Sequence, residues 1–304
     1  MSSTQNHILM EIEPRMITLG AANGPTVHRL IPYAKKRMVG PFTFFDYLPA
    51  TDFNESQGMD VRPHPHIGLS TLSYLLEGQV LHHDSLGSKQ ILSPGDVNWM
   101  TAGSGISHSE RVPEHLRGKP HRLNLLQFWI ALPKDQEDRE PSFKHHPQNT
   151  IPRFKVGDAD VVLVAGEAFG KKSPVDVYSK LFFMDVRLKP GQTFEFDPGT
   201  DELAFYIIKG SLKMDGKTIP PDDFVVLEPD SKLKVVADEE TQFMVLGGTA
   251  FPEPRHMFWN YVSSSKEKIV AANDRWIAQD FPQVPGEPDN IYAPELKVNP
   301  TPMS

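Results

Sequence analysis

The sequence predicts an all-β protein built from two similar β-units. With 304 residues, the chain is long enough for about two domains of ordinary size. Its 28 prolines exceed the usual share of about 5%, and proline interrupts helices while it suits short strands joined by turns. Short apolar runs alternate with turn residues along most of the chain, which is typical of a sandwich or a barrel.

The composition excludes several classes of function. The formal net charge of -8 and the pI of about 5.8 do not favour direct contact with nucleic acid or with an anionic membrane. Because the chain has no cysteine, disulfides, thiolate metal sites and a cysteine nucleophile are excluded. The N-terminus lacks the pattern of a secretory signal, and no run of about 18 apolar residues is present. We therefore expect a cytoplasmic protein without a membrane span.

The first unit is predicted at residues 1–140. Its leading strand is best placed at residues 26–30, and an apolar, aromatic run at residues 39–48 predicts a buried strand after a Gly-Pro turn. Further strands are predicted in order at residues 72–76, 80–83, 90–92, 97–101 and 123–132.

Residues 141–160 are predicted to be a connector between the two units. The chain is polar, charged and rich in proline from residue 133 onwards, which favours a surface loop. His145 and His146 lie in this connector. Neighbouring residues of a polar loop point in different directions, so we expect both histidines to be solvated and not to bind metal.

The second unit is predicted at residues 161–262 as a repeat of the first. Residues 206–210 (YIIKG) match residues 74–78 (YLLEG) when their glycines are aligned. In the same order, residues 221–223 (PDD) take the place of residues 94–96 (PGD), and an apolar strand follows each of these turns. The pattern indicates an internal duplication.

Residues 263–304 are predicted to form a helix and an extended tail. The segment Ser264-Ser265-Lys266-Glu267 has the pattern of a capping box. The face that should dock on a barrel comprises Ile269, Val270, Asn273, Trp276 and Ile277. The prolines after residue 282 favour an extended or disordered terminus.

Two short motifs, His64-Pro65-His66 and His108-Ser109-Glu110, carry the candidate chemistry. Each motif places two potential metal ligands at i and i+2, and such residues face the same side of a β-strand. Two such strands side by side would direct three imidazoles and one carboxylate at one point. This set suits iron, nickel, manganese or zinc and leaves room for substrate or water. The alternative is ordinary packed histidines, because spacing alone is a weak motif.

Two further histidines, His82 and His83, are adjacent on a predicted strand. One of them faces inward by alternation, so a supporting or substrate-facing role stays open. In the second unit, the repeat places Phe196 and Pro198 at the positions of the first histidine pair. No metal site is therefore predicted there.

Longer motifs around these residues resemble the pirin family of the cupin superfamily. They comprise residues 39–42 (VGPF) with Asp46, 64–68 (HPHIG), 73–78 (SYLLEG), 94–96 (PGD), 99–110 (WMTAGSGISHSE) and 126–129 (LQFW). The resemblance is specific across residues 26–132, looser in the second unit and absent beyond about residue 280.

The resemblance implies two cupin barrels of jelly-roll type, packed face to face, with one mononuclear metal in the N-terminal barrel. When the ligand positions of the family are transferred to this sequence residue by residue, the resemblance implies His64, His66, His108 and Glu110 as the ligands. The general cupin pattern has its glutamate shortly after the first histidine pair, where this chain has Ser70 and Thr71. Here Glu110 supplies the carboxylate, as in pirins. Iron(II) is the expected metal, with nickel, manganese, zinc and copper as alternatives.

The resemblance implies two main kinds of function. The first is a quercetinase-type dioxygenase that opens a flavonol or a similar small aromatic substrate with O₂, with Glu110 as a fourth ligand or general base. Its pocket should have apolar walls and few polar groups, and the sequence identifies no substrate-binding residue. The second is an iron-dependent, redox-sensing regulator that binds a transcription factor or a metabolic enzyme. A third possibility is a cupin that binds metal but catalyses no reaction. We expect a monomer.

Overall fold

The computed structural model describes residues 8–19, 24–296 and 299–303, and most of them lie in β-strands or in the turns between strands. The chain forms two compact units. The N-terminal barrel comprises residues 15–148 without 39–41, together with residues 252–303. The C-terminal barrel comprises residues 8–14, 39–41 and 149–251. The prediction of an all-β fold in two units is confirmed.

The N-terminal barrel holds most of the strands in the first half of the chain, after strand β1 (Ile8–Ile12), which belongs to the C-terminal barrel. Its strands are β2 (Arg15–Thr18), β3 (Thr26–Ile31), β4 (Phe42–Phe53), β5 (Val61–His66), β6 (Leu69–Glu77), β7 (Val80–Asp84), β8 (Lys89–Leu92), β9 (Val97–Thr101), β10 (Ile106–Arg111), β11 (His121–Ala131) and β12 (Ser142–His146). Short 3-10 helices lie at Glu114–Leu116, Lys134–Gln136 and Gln148–Thr150.

Within the described residues, these strands form two sheets. The larger sheet has the order β12-β9-β6-β11-β4-β3-β2, and the smaller sheet has the order β5-β10-β7-β8. Every strand predicted for this unit coincides with an observed strand to within a few residues. In the larger sheet, Phe128, Leu72 and Trp99 are cross-strand neighbours and are almost completely buried. Side-chain packing therefore adds to the hydrogen-bond ladder that holds these strands.

The C-terminal barrel has the same strand order. Its strands are β13 (Arg153–Val156), β14 (Ala159–Ala168), β15 (Lys171–Lys172), β16 (Leu181–Leu188), β17 (Thr193–Phe196), β18 (Glu202–Lys209), β19 (Leu212–Met214), β20 (Lys217–Ile219), β21 (Phe224–Leu227), β22 (Leu233–Ala237) and β23 (Thr241–Gly248). The larger sheet has the order β1-β21-β18-β23-β16-β14-β13, with β15 on β14, and the smaller has β17-β22-β19-β20. Position by position, both orders repeat those of the N-terminal barrel.

The predicted duplication is confirmed at the level of single hydrogen bonds. In the first copy, the amide of Gly95 donates to the carbonyl oxygen of Leu75 at 2.8 Å. In the second copy, the equivalent bond runs from Asp222 to Ile207 at 2.9 Å. Gly95 has a φ of +82° and Asp222 has a φ of +69°. Aspartate tolerates this left-handed conformation better than most residues, so the turn keeps its shape without glycine.

The edge strand of each larger sheet comes from an unexpected part of the chain. Strand β12 lies in the predicted connector, where it pairs with β9, and His145 is half-buried and bonded to Asn98 at 2.8 Å instead of solvated. Strand β1 fills the equivalent place in the other barrel by pairing with β21. Each unit is therefore built from separate segments of the chain, and its bounds differ from those predicted at residues 140, 160 and 262. Pairing between distant segments leaves no local pattern, which is why the sequence did not reveal it.

The C-terminal segment belongs to the N-terminal barrel. It contains β24 (His256–Phe258), β25 (Tyr261–Ser263), helix α1 (Lys266–Ile277) and β26 (Thr301–Pro302). The helix begins one residue later than the capping box predicts, since Ser265 is the N-cap and accepts a hydrogen bond from the amide of Lys268. Ser264 instead donates to the buried carboxylate of Glu137. In the described part of the chain, no helix is long and apolar enough to cross a membrane.

Helix α1 docks on the barrel as predicted, but the predicted apolar face includes one residue that does not pack there. Ile269, Ala272 and Trp276 pack in one buried cluster with Ile67, which follows the first histidine pair. Ile277 is 61% exposed and lies outside this cluster. The docked helix thus anchors the C-terminal segment next to the candidate metal centre.

Candidate metal centre

The two histidine motifs lie on adjacent antiparallel strands. His64-Pro65-His66 ends β5, and His108-Ser109-Glu110 lies in β10. His108 is the direct ladder partner of His64. Because residues two apart share a face, both motifs turn their candidate ligands to the same side, as their spacing predicts. All four candidate side chains are buried in the barrel.

An irregularity in β5 helps to orient the first histidine. The register between β5 and β10 shifts between His108 and Glu110, so Val61 and not Arg62 is paired with Glu110. Pro63 lies in this β-bulge, where its missing N–H removes nothing from the ladder. The backbone carbonyl of Arg62 accepts a hydrogen bond from Nδ1 of His64 at 2.9 Å. The Nε2 atom of His64 is thereby left as the ligand atom.

The second histidine is oriented from the C-terminal segment. Nδ1 of His66 donates to the backbone carbonyl of Asn260, in the turn between β24 and β25, at 3.0 Å. Its Nε2 atom is buried and has no hydrogen-bond partner among the described residues. An imidazole fixed through Nδ1 with a bare Nε2 is the usual arrangement of a metal-binding histidine.

The three imidazoles converge. The ligand atoms of His64, His66 and His108 all lie within 4.8 Å of one another, and all three residues are buried. Both ring nitrogens of His108 are buried without a hydrogen-bond partner in the part of the chain that the structure describes. Buried polar atoms are rarely left unpaired, so the cluster fits a divalent metal that imidazole nitrogens would bind.

The protonation states suit metal binding. Burial, with a smaller contribution from the positive charge of neighbouring His82, lowers the pKa of His64 to about 4 despite the opposing effect of the hydrogen bond to Arg62. Burial also lowers the pKa of His66 and of His108 well below its usual range, helped by the other histidines. The three rings are therefore neutral near pH 7, which is the form that donates a lone pair to a metal.

Glu110 differs from the three histidines. It faces the same cavity, but its carboxylate does not belong to the group whose ligand atoms lie within 4.8 Å of one another. Burial raises the pKa of Glu110 to about 7. A carboxyl group whose pKa lies near 7 can hold or release a proton under ordinary conditions, and a bound cation would favour its charged form.

Of the two adjacent histidines, His82 faces inward and His83 faces outward, as alternation allows. His82 stacks on Phe143 of β12, with ring centroids 4.1 Å apart, and its Nε2 bonds to the carboxylate of Asp84 at 2.8 Å. The His82 ring lies 5.3 Å from that of His108. His82 therefore packs behind the histidine cluster and supports it.

The cluster lies in the wall of a cavity of about 1150 Å³ within the N-terminal barrel. Next to the histidines the wall is aromatic: Trp129 is edge-on to His66 at 5.1 Å, and Phe44 stacks on Trp129 at 4.1 Å. The guanidinium of Arg29 lies over the Phe44 ring at 4.6 Å and forms a double hydrogen bond with Asp46. The expectation of few polar groups is wrong, because several more charged side chains line the rest of the cavity.

The C-terminal barrel has apolar residues where the metal centre would be. Phe196 and Leu233 are ladder partners there, as His64 and His108 are in the other barrel. Both belong to a continuous cluster of buried apolar side chains. Among the described residues, the candidate metal group lies in the N-terminal barrel.

The sequence motifs identified neither the carbonyl that orients His66 nor Arg29 in the cavity wall. Asn260 acts through its backbone carbonyl, so no residue type marks it. Arg29 lies in the predicted leading strand, and its pairing with Asp46 follows from the neighbouring positions of β3 and β4. Asp46 belongs to a motif named in the sequence analysis, and a single charge within an apolar, buried strand is the signal for it.

Both halves of the chain are similar in sequence to known proteins. The sequence profile described as Pirin matches residues 24–130, and the profile described as Pirin C-terminal cupin domain matches residues 183–282. A Caulobacter vibrioides protein named "Pirin-like protein" is 45% identical over 255 residues, which are 83% of this chain and 88% of that protein. A Pseudomonas aeruginosa protein named "Putative quercetin 2,3-dioxygenase PA1205" is 34% identical over 299 residues, which are 97% and 91% of the two chains.

A solved structure is also similar. The crystal structure of quercetin 2,3-dioxygenase from Acinetobacter baumannii at 1.78 Å resolution matches with a TM-score of 0.90 and 29% sequence identity. The match covers 98% of each chain, so it extends over both barrels and the C-terminal segment.

Proposed function

The chain belongs to the pirin family, and we propose that it is a metal-dependent dioxygenase of the quercetinase type. It would use one mononuclear metal, iron(II), to open a flavonol-like aromatic substrate with O₂. Nickel, manganese, zinc and copper are the alternative metals, because imidazole binds all of them. The similarity to proteins named quercetin 2,3-dioxygenase supports this activity.

The observation that carries the proposal is the convergence of three neutral, buried imidazoles on a large cavity. Three histidines leave coordination positions free, in contrast to a closed structural site. A cavity of about 1150 Å³ exceeds the volume that a drug-sized ligand usually occupies. A flavonol would therefore fit beside the histidines.

The protein residues have distinct tasks in this proposal. His64, His66 and His108 would hold the metal, and the carbonyls of Arg62 and Asn260 keep the first two rings in place. When bound, the metal would supply Lewis acidity toward the flavonol 3-hydroxyl, and the deprotonated, electron-rich substrate would supply the electrons that reduce O₂. The aromatic wall formed by Trp129 and Phe44 would contact the substrate and help to exclude water.

Glu110 is proposed as the general base or, with the metal present, as a fourth ligand. With a pKa of about 7 when no cation is near, its carboxylate can take the proton of the substrate hydroxyl. Its side chain is buried, which limits the number of water molecules that can compete for that proton.

Metal analysis and O₂ uptake test the proposal together. We expect the purified protein to contain one metal ion per chain and to consume O₂ when a flavonol such as quercetin is added. The double substitution His64→Ala/His66→Ala should abolish both. Glu110→Gln should keep most of the metal and lower kcat about 100-fold, because it removes the base.

The outcomes separate the candidate functions. Bound metal without O₂ uptake for any of several flavonols would contradict the enzyme and favour the redox-sensing regulator that binds a protein partner. O₂ uptake that persists in the double histidine variant would place the chemistry outside this centre.

A further inference from the structure

The outer face of β10 is occupied by the C-terminal tail. Side chains alternate along this strand, so that His108 and Glu110 face the cavity while Ser107 and Ser109 face the other way; Arg111, the last residue of the strand, also lines the cavity. Ser107, Ser109 and Arg111 each donate a hydrogen bond to residues 282–289. The tail thus follows the back of the strand whose front carries two candidate metal-site residues.

Glu287 is the centre of these contacts. Its Oε1 accepts a hydrogen bond from Oγ of Ser109 at 2.8 Å, and its Oε2 accepts one from Nε of Arg111 at 2.8 Å. The same carboxylate lies 3.0 Å from Nδ1 of His83 on β7, the neighbouring strand of the sheet. The Glu287 side chain is only 18% exposed, so it joins β7 and β10 through partly desolvated, charge-assisted bonds.

The tail also contacts β5, the other ligand strand. The amide of Ile291 donates to the carbonyl of Pro63 at 2.8 Å, within the β-bulge before His64. Nε1 of Trp276, on the docked helix α1, donates to the carbonyl of Ile291 at 2.8 Å. The tail is therefore connected at one end to the helix and along its length to three strands of the smaller sheet.

We propose that Glu287 is a positioning residue for the metal centre, acting through β10. It fixes the outer face of this strand and thereby the placement of the His108 imidazole on the inner face. Outer residues that orient metal ligands commonly change metal affinity when they are removed. The inference rests on the proposed metal function and extends the site to the tail beyond residue 282.

The C-terminal barrel provides a matched comparison. Strand β22 occupies there the place of β10, and Nζ of Lys234 on this strand lies 2.5 Å from Oε1 of Glu195 on the neighbouring strand β17. Both side chains are more than half exposed, and the partner comes from the barrel itself. Glu195→Gln thus removes a paired carboxylate from the equivalent strand without touching the metal centre.

The test compares Glu287→Gln with Glu195→Gln in the full-length protein. Gln keeps the shape of the side chain and one acceptor oxygen, so the fold is expected to survive. Two measurements are made: the dissociation constant for iron(II) and for cobalt(II) by competition with a chelator, and the rate of amide hydrogen exchange of residues 106–111 in metal-free protein. We expect Glu287→Gln to weaken metal binding about tenfold and to speed exchange in β10. Glu195→Gln should match the wild type in both.

The result that overturns the inference is equal metal affinity and equal β10 exchange in Glu287→Gln and wild type. Faster exchange with unchanged metal affinity would also overturn it, since Glu287 would then be structural and not a positioning residue. A wild-type protein that binds metal but consumes no O₂ with flavonols would contradict the proposed function and leave the role of Glu287 intact.

Discussion

The side chains of the metal centre are held by groups that lie outside it. Backbone carbonyls orient His64 and His66 through their Nδ1 atoms, and Asp84 fixes the supporting His82. The histidine pairs could be identified from the sequence because their i, i+2 spacing has a direct meaning on a strand. The carbonyl of Asn260 could not be identified, since every residue has one. Residue type therefore predicts ligands better than it predicts what orients them.

The charge state of Glu287 makes a prediction about pH. Burial alone would raise the pKa of this carboxyl, but hydrogen bonds from Arg111, Ser109 and His83 outweigh burial and lower it below its ordinary value of 4.5. A carboxyl with a lowered pKa in the folded state adds stability above its ordinary value, and this contribution is lost as the pH falls through the lowered value.

We therefore expect the difference in thermal midpoint between wild type and Glu287→Gln to be largest near pH 7 and to shrink as the pH falls below about 4.5. Thermal unfolding followed by circular dichroism at several pH values measures it. The groups that face this carboxylate are His83 on β7, Arg111 on β10 and, through Arg111, Asp289 in the tail. A midpoint difference that grows on acidification would contradict the assignment.

Among the structural elements, the turns are the best predicted. Gly78 ends β6 with a φ of +84°, a conformation that favours glycine. Its surroundings add a second constraint, because a Cβ atom there would lie 2.0 Å from the carbonyl oxygen of Arg122 on β11. The sequence shows the turn but not this contact. Strand β12 was missed for a related reason, since its pairing with β9 depends on a neighbour from a distant segment.

A pair of glycine substitutions separates backbone strain from crowding. Gly87, in the turn between β7 and β8, has a φ of +86° but open space around it. Gly87→Ala should cost about 1 kcal/mol of unfolding free energy from strain alone. Gly78→Ala should cost about 3 kcal/mol or more, because the methyl group also collides with the backbone of β11. Urea denaturation measures both values, and equal costs would show that crowding at Gly78 is relieved.

At the scale of the whole molecule, one strand order occurs twice and serves two purposes. The C-terminal barrel fills its interior with apolar side chains, including Phe196 and Leu233 at the ladder positions of His64 and His108. The N-terminal barrel gives up part of such a core for buried imidazoles and a cavity, which costs stability unless the polar atoms are paired. The repeat of turns and strands made this duplication predictable. The placement of the edge strands, β1 in the C-terminal barrel and β12 in the N-terminal barrel, was not predictable, because it is set by tertiary pairing.

Anomalous diffraction from crystals of the protein loaded with iron(II) tests the central claim most directly. We expect one anomalous peak per chain, about 2.1 Å from the Nε2 atoms of His64 and His66 and from one ring nitrogen of His108. No peak of comparable height should lie in the C-terminal barrel. A peak elsewhere, or full iron occupancy that persists in His66→Ala/His108→Ala, would contradict the assignment of this centre.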